Sequence, residues 1–147
     1  MLCINLFASD DGNDLYIYGL SYHTNRNYNW HEINPGLGYG HYWVQKDADY
    51  LELTSQGSVY NNSYGHWTGV VTIGPRWILG ERKSFNYFVS INAGFICSED
   101  YTNMIVIPMF GVGYSRVSIN SIFIPKPRTN TSDDVSNAIG MFLGWKF

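Results

Sequence analysis

Residues 138–147 alternate without a break. Ile139, Met141, Leu143, Trp145 and Phe147 fall on one side of an extended chain, and Ala138, Gly140, Phe142, Gly144 and Lys146 on the other. Successive side chains of a strand point to opposite faces, so this is a strand with one large apolar face and one mostly small or polar face. Phe85, Tyr87, Val89, Ile91, Ala93 and Phe95 repeat the pattern against Asn86, Ser90, Asn92 and Gly94. Trp67, Val71, Ile73 and Trp77 oppose Thr68, Thr72, Gly74 and Arg76. A strand from Asp14 to Thr24 is expected to gather Tyr16, Tyr18, Leu20 and Tyr22 on one face. Turn-forming clusters at residues 9–13, 25–34, 46–49, 80–84, 98–103 and 126–136 separate such segments.

There are about eight of these segments, each roughly 10 residues long, which is the length of a tilted strand crossing a bilayer. Aromatics cluster near their ends, as interfacial girdles require. Eight antiparallel strands close into a small barrel, and closure removes the edges that lipid cannot solvate. The expected fold is therefore all-β, an eight-stranded antiparallel up-and-down barrel of transmembrane type.

Alternation alone does not say which face is inside. In a soluble lipid-binding barrel the apolar face points inward, and the outer face would be the Gly, Ser, Asn and Thr set. Only 14% of the residues are charged, against about 25% in a typical soluble domain, and such an outer face is poor in charge for water. Aromatics reach 17%, which argues against disorder, and the net charge of -3 argues against a nucleic-acid partner. The apolar face is expected to meet lipid. Cys3 and Cys97 are too few for a disulfide framework and read as free thiols. Residues 1–13 lack a basic n-region and read as a short N-terminal segment, a reduced helix or a signal remnant, ahead of a single barrel domain over 14–147.

Short motifs in a fixed order then point to a family. Asp14-Leu15-Tyr16-Ile17 precedes Leu20-Ser21-Tyr22-His23. Glu32 is followed by Pro35-Gly36-Leu37-Gly38-Tyr39-Gly40, and Asn62-Ser63-Tyr64 by Trp67. Ile107-Pro108, Val112-Gly113-Tyr114 and Phe123-Ile124-Pro125 come later, and Trp145-Lys146-Phe147 closes the chain. In this order and spacing the chain resembles the outer-membrane lipid A palmitoyltransferases, the PagP family, from about Asp14 to Phe147.

The resemblance implies an acyltransferase that moves palmitate from a glycerophospholipid to lipid A. It implies no cofactor and no metal, with phospholipid, lipopolysaccharide and the bacterial outer membrane as partners and setting. His23 matches the family's histidine and would be the general base, a task suited to a side chain that titrates near neutrality. Ser63 matches its serine, as nucleophile or as a hydroxyl that polarises the ester. Asn62 stands where the family has Asp. An amide can orient His23 but carries no charge to stabilise an imidazolium, and in the serine-protease triad the same exchange costs about 10⁴ in turnover. A supporting arginine of the family is replaced within Cys97-Ser98-Glu99-Asp100. Pro108 and Pro125 match a pair that opens a lateral gate for lipid, because proline removes a ladder donor. Pro35 matches one proline of a second gap whose partner position is Tyr18, and Gly74 is expected near the floor of an acyl pocket.

An alternative reading keeps the barrel and drops the chemistry. Asn62, Ser98 and the short N-terminal segment suit a catalytically degenerate structural or binding protein, phage- or virion-borne. An enzyme is expected to be a monomer, and a structural protein to have assembly partners.

Overall fold

The computed structural model describes residues 11–24, 29–99, 101–124 and 137–147. Eight strands follow one another: β1 (Gly12–His23), β2 (Ile33–Gln45), β3 (Ala48–Asn61), β4 (Trp67–Gly80), β5 (Phe85–Ser98), β6 (Thr102–Tyr114), β7 (Val117–Ile124) and β8 (Ala138–Lys146). Each pairs antiparallel with its sequence neighbours, and β8 closes on β1 with Tyr16 opposite Gly144. The barrel is all-antiparallel, and no helix occurs among the described residues.

The two faces have the expected sense. Leu37, Val71 and Ile119 are 62%, 65% and 55% exposed, and they belong to an apolar surface that runs over all eight strands. Water does not tolerate a patch of that extent, whereas hydrocarbon covers it without cost. This removes the soluble-barrel reading. At one end Tyr39, Trp77, Tyr87, Tyr114 and Trp145 point outward as an aromatic girdle. That end carries the tight turns at 46–47, 81–84 and 115–116, and at the other end longer stretches of sequence separate β1 from β2 and β7 from β8. In outer-membrane barrels tight turns face the periplasm and longer loops face outward.

The lumen is filled rather than open. Tyr16, Ile78, Phe88, Met109 and Phe142 pack at its centre, with Tyr18 and Ile122 against them. Glycines make room for the rings. A Cβ on Gly40 would stand 2.9 Å from the Tyr16 ring, and one on Gly111 only 2.1 Å from the Phe88 ring. Below this layer, Arg76 is 2% exposed and pairs with Asp14 at 3.0 Å and with Glu52, which also meets Arg82. Tyr16 donates to Asp14 at 2.9 Å, and the Arg76 guanidinium lies 5.2 Å from the Tyr42 ring centre and 5.3 Å from that of Phe88. Buried charge of this kind is tolerated because each ion has a counter-ion.

Strand β1 departs from the expected alternation. Tyr16 and Tyr18 point into the lumen, while Leu20 and Tyr22 are exposed. Tyr18 pairs with Phe142 and Leu20 with Met141, so Gly19 is an extra residue on β1, a β-bulge. The bulge moves every later residue to the opposite face from the one that ungapped counting assigns. Ser21 and His23 thereby turn inward.

Candidate functional site

His23 is the last residue of β1, and Ser63 lies in the segment between β3 and β4. Both are buried, at 5% and 8% exposure, at the long-loop end of the barrel. His23 Nε2 stands 2.7 Å from Ser63 Oγ. Within hydrogen-bond reach, a base and a hydroxyl form the arrangement that activates an oxygen nucleophile. The His23 ring stacks on Trp30, with centroids 4.1 Å apart and planes at 8°, and Trp30 packs edge-on against Tyr64 at 5.1 Å. His31 N–H donates to the Ser63 carbonyl at 3.1 Å, which ties the residues just ahead of β2 to the Ser63 turn.

Two further polar side chains reach Ser63. Ser21 Oγ is 3.0 Å from Ser63 Oγ, and Asn34 Nδ2 lies 3.3 Å from the same oxygen. Asn34 Nδ2 also donates to the carbonyls of Asn61 at 3.0 Å and His31 at 3.3 Å, which settles which end of the amide is the nitrogen. Sequence reasoning passed over Ser21, Asn34 and Trp30. The signal for Ser21 was Gly19, since a glycine inside a strand pattern marks a bulge. Ser21 shares the face of His23 by simple alternation, and the bulge turns that face inward.

Asn62 is adjacent to Ser63 but serves a different purpose. Its Oδ1 accepts from the N–H groups of Tyr64 at 2.9 Å and His66 at 3.0 Å. Its Nδ2 donates to Thr68 Oγ1 at 3.0 Å and Ser98 Oγ at 3.2 Å. These bonds occupy both lone pairs and both hydrogens of the amide. Asn62 thus shapes the turn that presents Ser63, and the structure does not assign it the orientation of His23.

The gate and pocket residues are placed as follows. Pro108 is exposed on β6, one residue beyond Met109–Ile122, the last β6–β7 pair among the described residues. Pro35 is exposed on β2 where the β1–β2 register slips, between Tyr18–Gly36 and Leu20–Ile33. Pro125 lies outside the described residues. Gly74 faces inward, but a Cβ there would come within 2.0 Å of the Ile91 carbonyl oxygen, so close approach of β5 accounts for the glycine. Pro75 is a further interruption, since β4–β5 pairing passes from Ile73–Ala93 to Arg76–Ser90 without the two pairs between.

Beneath the Ser63 turn, Tyr18 stacks between Tyr60 at 5.3 Å and Phe142 at 4.7 Å. Tyr18 OH donates to Ser58 at 3.1 Å and accepts from Gln56. The cavity beside this layer measures about 20 Å³, lined by Tyr18, Tyr60, Val70, Thr72 and Ile107 among others. That is room for about one water molecule. Among the described residues no group of His, Cys, Asp and Glu has the arrangement of a metal site.

Fold and rim together define a transmembrane-type eight-stranded β-barrel with a buried Ser–His pair at its long-loop end. The sequence profile of the family described as "Antimicrobial peptide resistance and lipid A acylation protein PagP" matches residues 4–138. The chain belongs to the PagP family. It is 23% identical to the Lipid A acyltransferase PagP of Dickeya dadantii over 145 residues, covering 91% of this chain and 69% of that protein. It is likewise 23% identical over 146 residues to the Lipid A acyltransferase PagP of Photorhabdus laumondii, covering 92% and 67%. Among solved structures, it is similar in fold to Ail, the attachment invasion locus protein of Yersinia pestis (TM-score 0.53, 11% identity, 93% of this chain and 98% of that one). A de novo designed transmembrane β-barrel is similar in fold as well (TM-score 0.52, 13% identity, 92% and 95%).

Proposed function

We propose that this barrel is a phospholipid:lipid A acyltransferase of the bacterial outer membrane, acting at its outer rim through Ser63 and His23. The observation that carries the reading is the buried 2.7 Å contact between His23 Nε2 and Ser63 Oγ, at the barrel end opposite the tight turns. Family membership supports the acceptor.

Ser63 Oγ attacks the ester carbonyl of the donor while its proton passes to His23 Nε2. The tetrahedral intermediate collapses, the C–O bond to glycerol breaks, and His23 returns the proton to the departing oxygen, which leaves a lysophospholipid. A lipid A hydroxyl then gives its proton to His23 and attacks the acyl-serine, and Ser63 recovers its proton. One ester is broken and one made, so the balance requires no co-reactant. Pro108, which the family resemblance pairs with Pro125, would admit lipid from the side.

The test is incubation of the refolded protein in vesicles of phosphatidylethanolamine and lipid A. Mass spectrometry should show lipid A heavier by one acyl group and a matching amount of lysophospholipid. Lipid A of unchanged mass after prolonged incubation contradicts the reading. The cavity of about 20 Å³ favours a second reading, a barrel of the same fold that binds or builds without transferring acyl groups.

A further inference from the structure

We infer that Trp30 is a positioning residue for acyl transfer: its indole face holds the His23 ring toward Ser63 and stabilises that ring once it carries the Ser63 proton. The inference rests on the acyl-transfer reading of the Ser63–His23 pair. The two rings lie nearly parallel, with planes at 8° and centroids 4.1 Å apart. Neutral aromatic pairs prefer edge-on or offset contact, with centroids about 4.5–7 Å apart. A closer, parallel contact suits a cationic ring. The face of an indole is its negative side, and Trp is the best of the aromatic partners for a cation.

The charge appears during the reaction. Across the 2.7 Å contact Ser63 Oγ gives its proton to His23 Nε2, and the imidazole becomes an imidazolium. His23 is 5% exposed, so water does little to solvate that charge, and a cation–π contact is strongest where the cation is desolvated. The neutral ring gains less from the same contact. Stabilisation is therefore greater after the proton has moved than before, which is the condition for lowering the barrier. Stacking acts on the ring face, whereas hydrogen bonds act in the ring plane, so the role of Trp30 stands whatever group meets Nδ1.

The indole is fixed by the same turn that presents Ser63. Tyr64, next to Ser63, packs against it with centroids 5.1 Å apart and planes at 73°. Tyr64 N–H is itself held by Asn62 Oδ1 at 2.9 Å. His31, next to Trp30, donates its N–H to the Ser63 carbonyl at 3.1 Å. Indole and nucleophile are thus joined twice, through a ring contact and through a backbone bond. The His23 ring cannot turn away from Ser63 without breaking the stack.

Fluorinated tryptophans test this, because each added fluorine weakens the negative face of the indole with little change of shape. The refolded full chain would carry none, one, two or four fluorines on each of its five tryptophans, beside Trp30→Phe and Trp30→Leu, with folding verified by mobility on unheated gels. A fluorophosphonate probe reads the step apart from lipid transfer. Ser63 Oγ forms a bond to phosphorus, fluoride departs, and the proton passes to His23. Wild type should label at Ser63, and the rate should fall stepwise with fluorination, by about 10-fold with four fluorines. The same fluorination in Trp30→Phe should leave the rate unchanged. Trp30→Leu should label about 10- to 30-fold more slowly than wild type, and Trp30→Phe should lie between the two. In the transfer assay the same losses should appear in kcat with KM unchanged. If Trp30→Leu does not fold, the fluorinated chains decide. A rate that ignores fluorination, or that falls equally with Phe at position 30, overturns the role of Trp30 and leaves the Ser63–His23 reading intact. A folded wild type that neither labels nor transfers overturns both.

Discussion

His23 Nε2 and Ser63 Oγ meet at 2.7 Å although the two residues lie 40 positions apart in the chain. Removing either member should remove the same step. Ser63→Ala and His23→Ala are each expected to lower turnover by about 10³-fold or more, and the double variant should be no worse than the weaker single one, as for groups that act as a unit. Transfer rates of the three variants check this. Multiplied losses in the double variant would show two independent roles.

Asn62→Asp should leave turnover within about threefold of wild type, far from the roughly 10⁴ that an acid contributes in the serine-protease triad. A carboxylate at this position accepts from Tyr64 and His66 as the amide does, and that is where the turn directs it. Asn62→Ala, by contrast, strips both N–H groups of their acceptor and should cost about 1–3 kcal/mol of stability. Denaturant unfolding alongside the assay separates the two effects. A large gain of activity in Asn62→Asp would mean that the acid can reach His23 after all.

Glu52 joins Arg76 and Arg82 in the lower lumen and is fully buried. Glu52→Leu leaves the Arg76 charge with only Asp14, and breaking a buried pair from one side costs about 3–5 kcal/mol. Urea unfolding from bilayers should show that loss. Catalytic rates at temperatures where the variant stays folded should not change, since the network lies below the aromatic layer, away from Ser63.

Leu143 lies outward at mid-height, between Ile17 and Ile119 on the neighbouring strands. Leu143→Arg should destabilise the barrel by about 2–4 kcal/mol in bilayers, as expected for a cation at the membrane midplane. A neutral outcome would place this surface away from hydrocarbon.

The Tyr18 ring, stacked between Tyr60 and Phe142, leaves little depth below Ser63. Short-chain donors should therefore react better than palmitoyl donors, and Tyr18→Ala should shift that ratio toward long chains by about tenfold or more, since even one methylene is worth that much in a pocket. Competing donors of different chain length in one vesicle, resolved by mass, give the ratio directly.

The barrel was readable from the sequence wherever alternation ran unbroken. The faces of β5 and β8 follow from counting by two, and low charge on the small-residue face decided which side met lipid. Strand β1 was misread beyond Tyr18 because Gly19 inserts one residue, and an offset of one exchanges the faces. His23 and Ser63 were found through resemblance to a family, since no local pattern links residues from different strands. Ser21 and Asn34 are ordinary polar residues in sequence and acquire meaning only when the turn at Asn62 brings Ser63 between them. The Arg76 network was hidden for the same reason, because register across β1, β3 and β4 assembles it.

The most direct test of the account is transfer of a labelled acyl chain from a glycerophospholipid to lipid A, run with wild type and Ser63→Ala in the same vesicles. The account predicts labelled lipid A and an equal amount of lysophospholipid with wild type, and neither with Ser63→Ala. Labelled lipid A formed equally by both proteins, or by neither while both are folded, would contradict it.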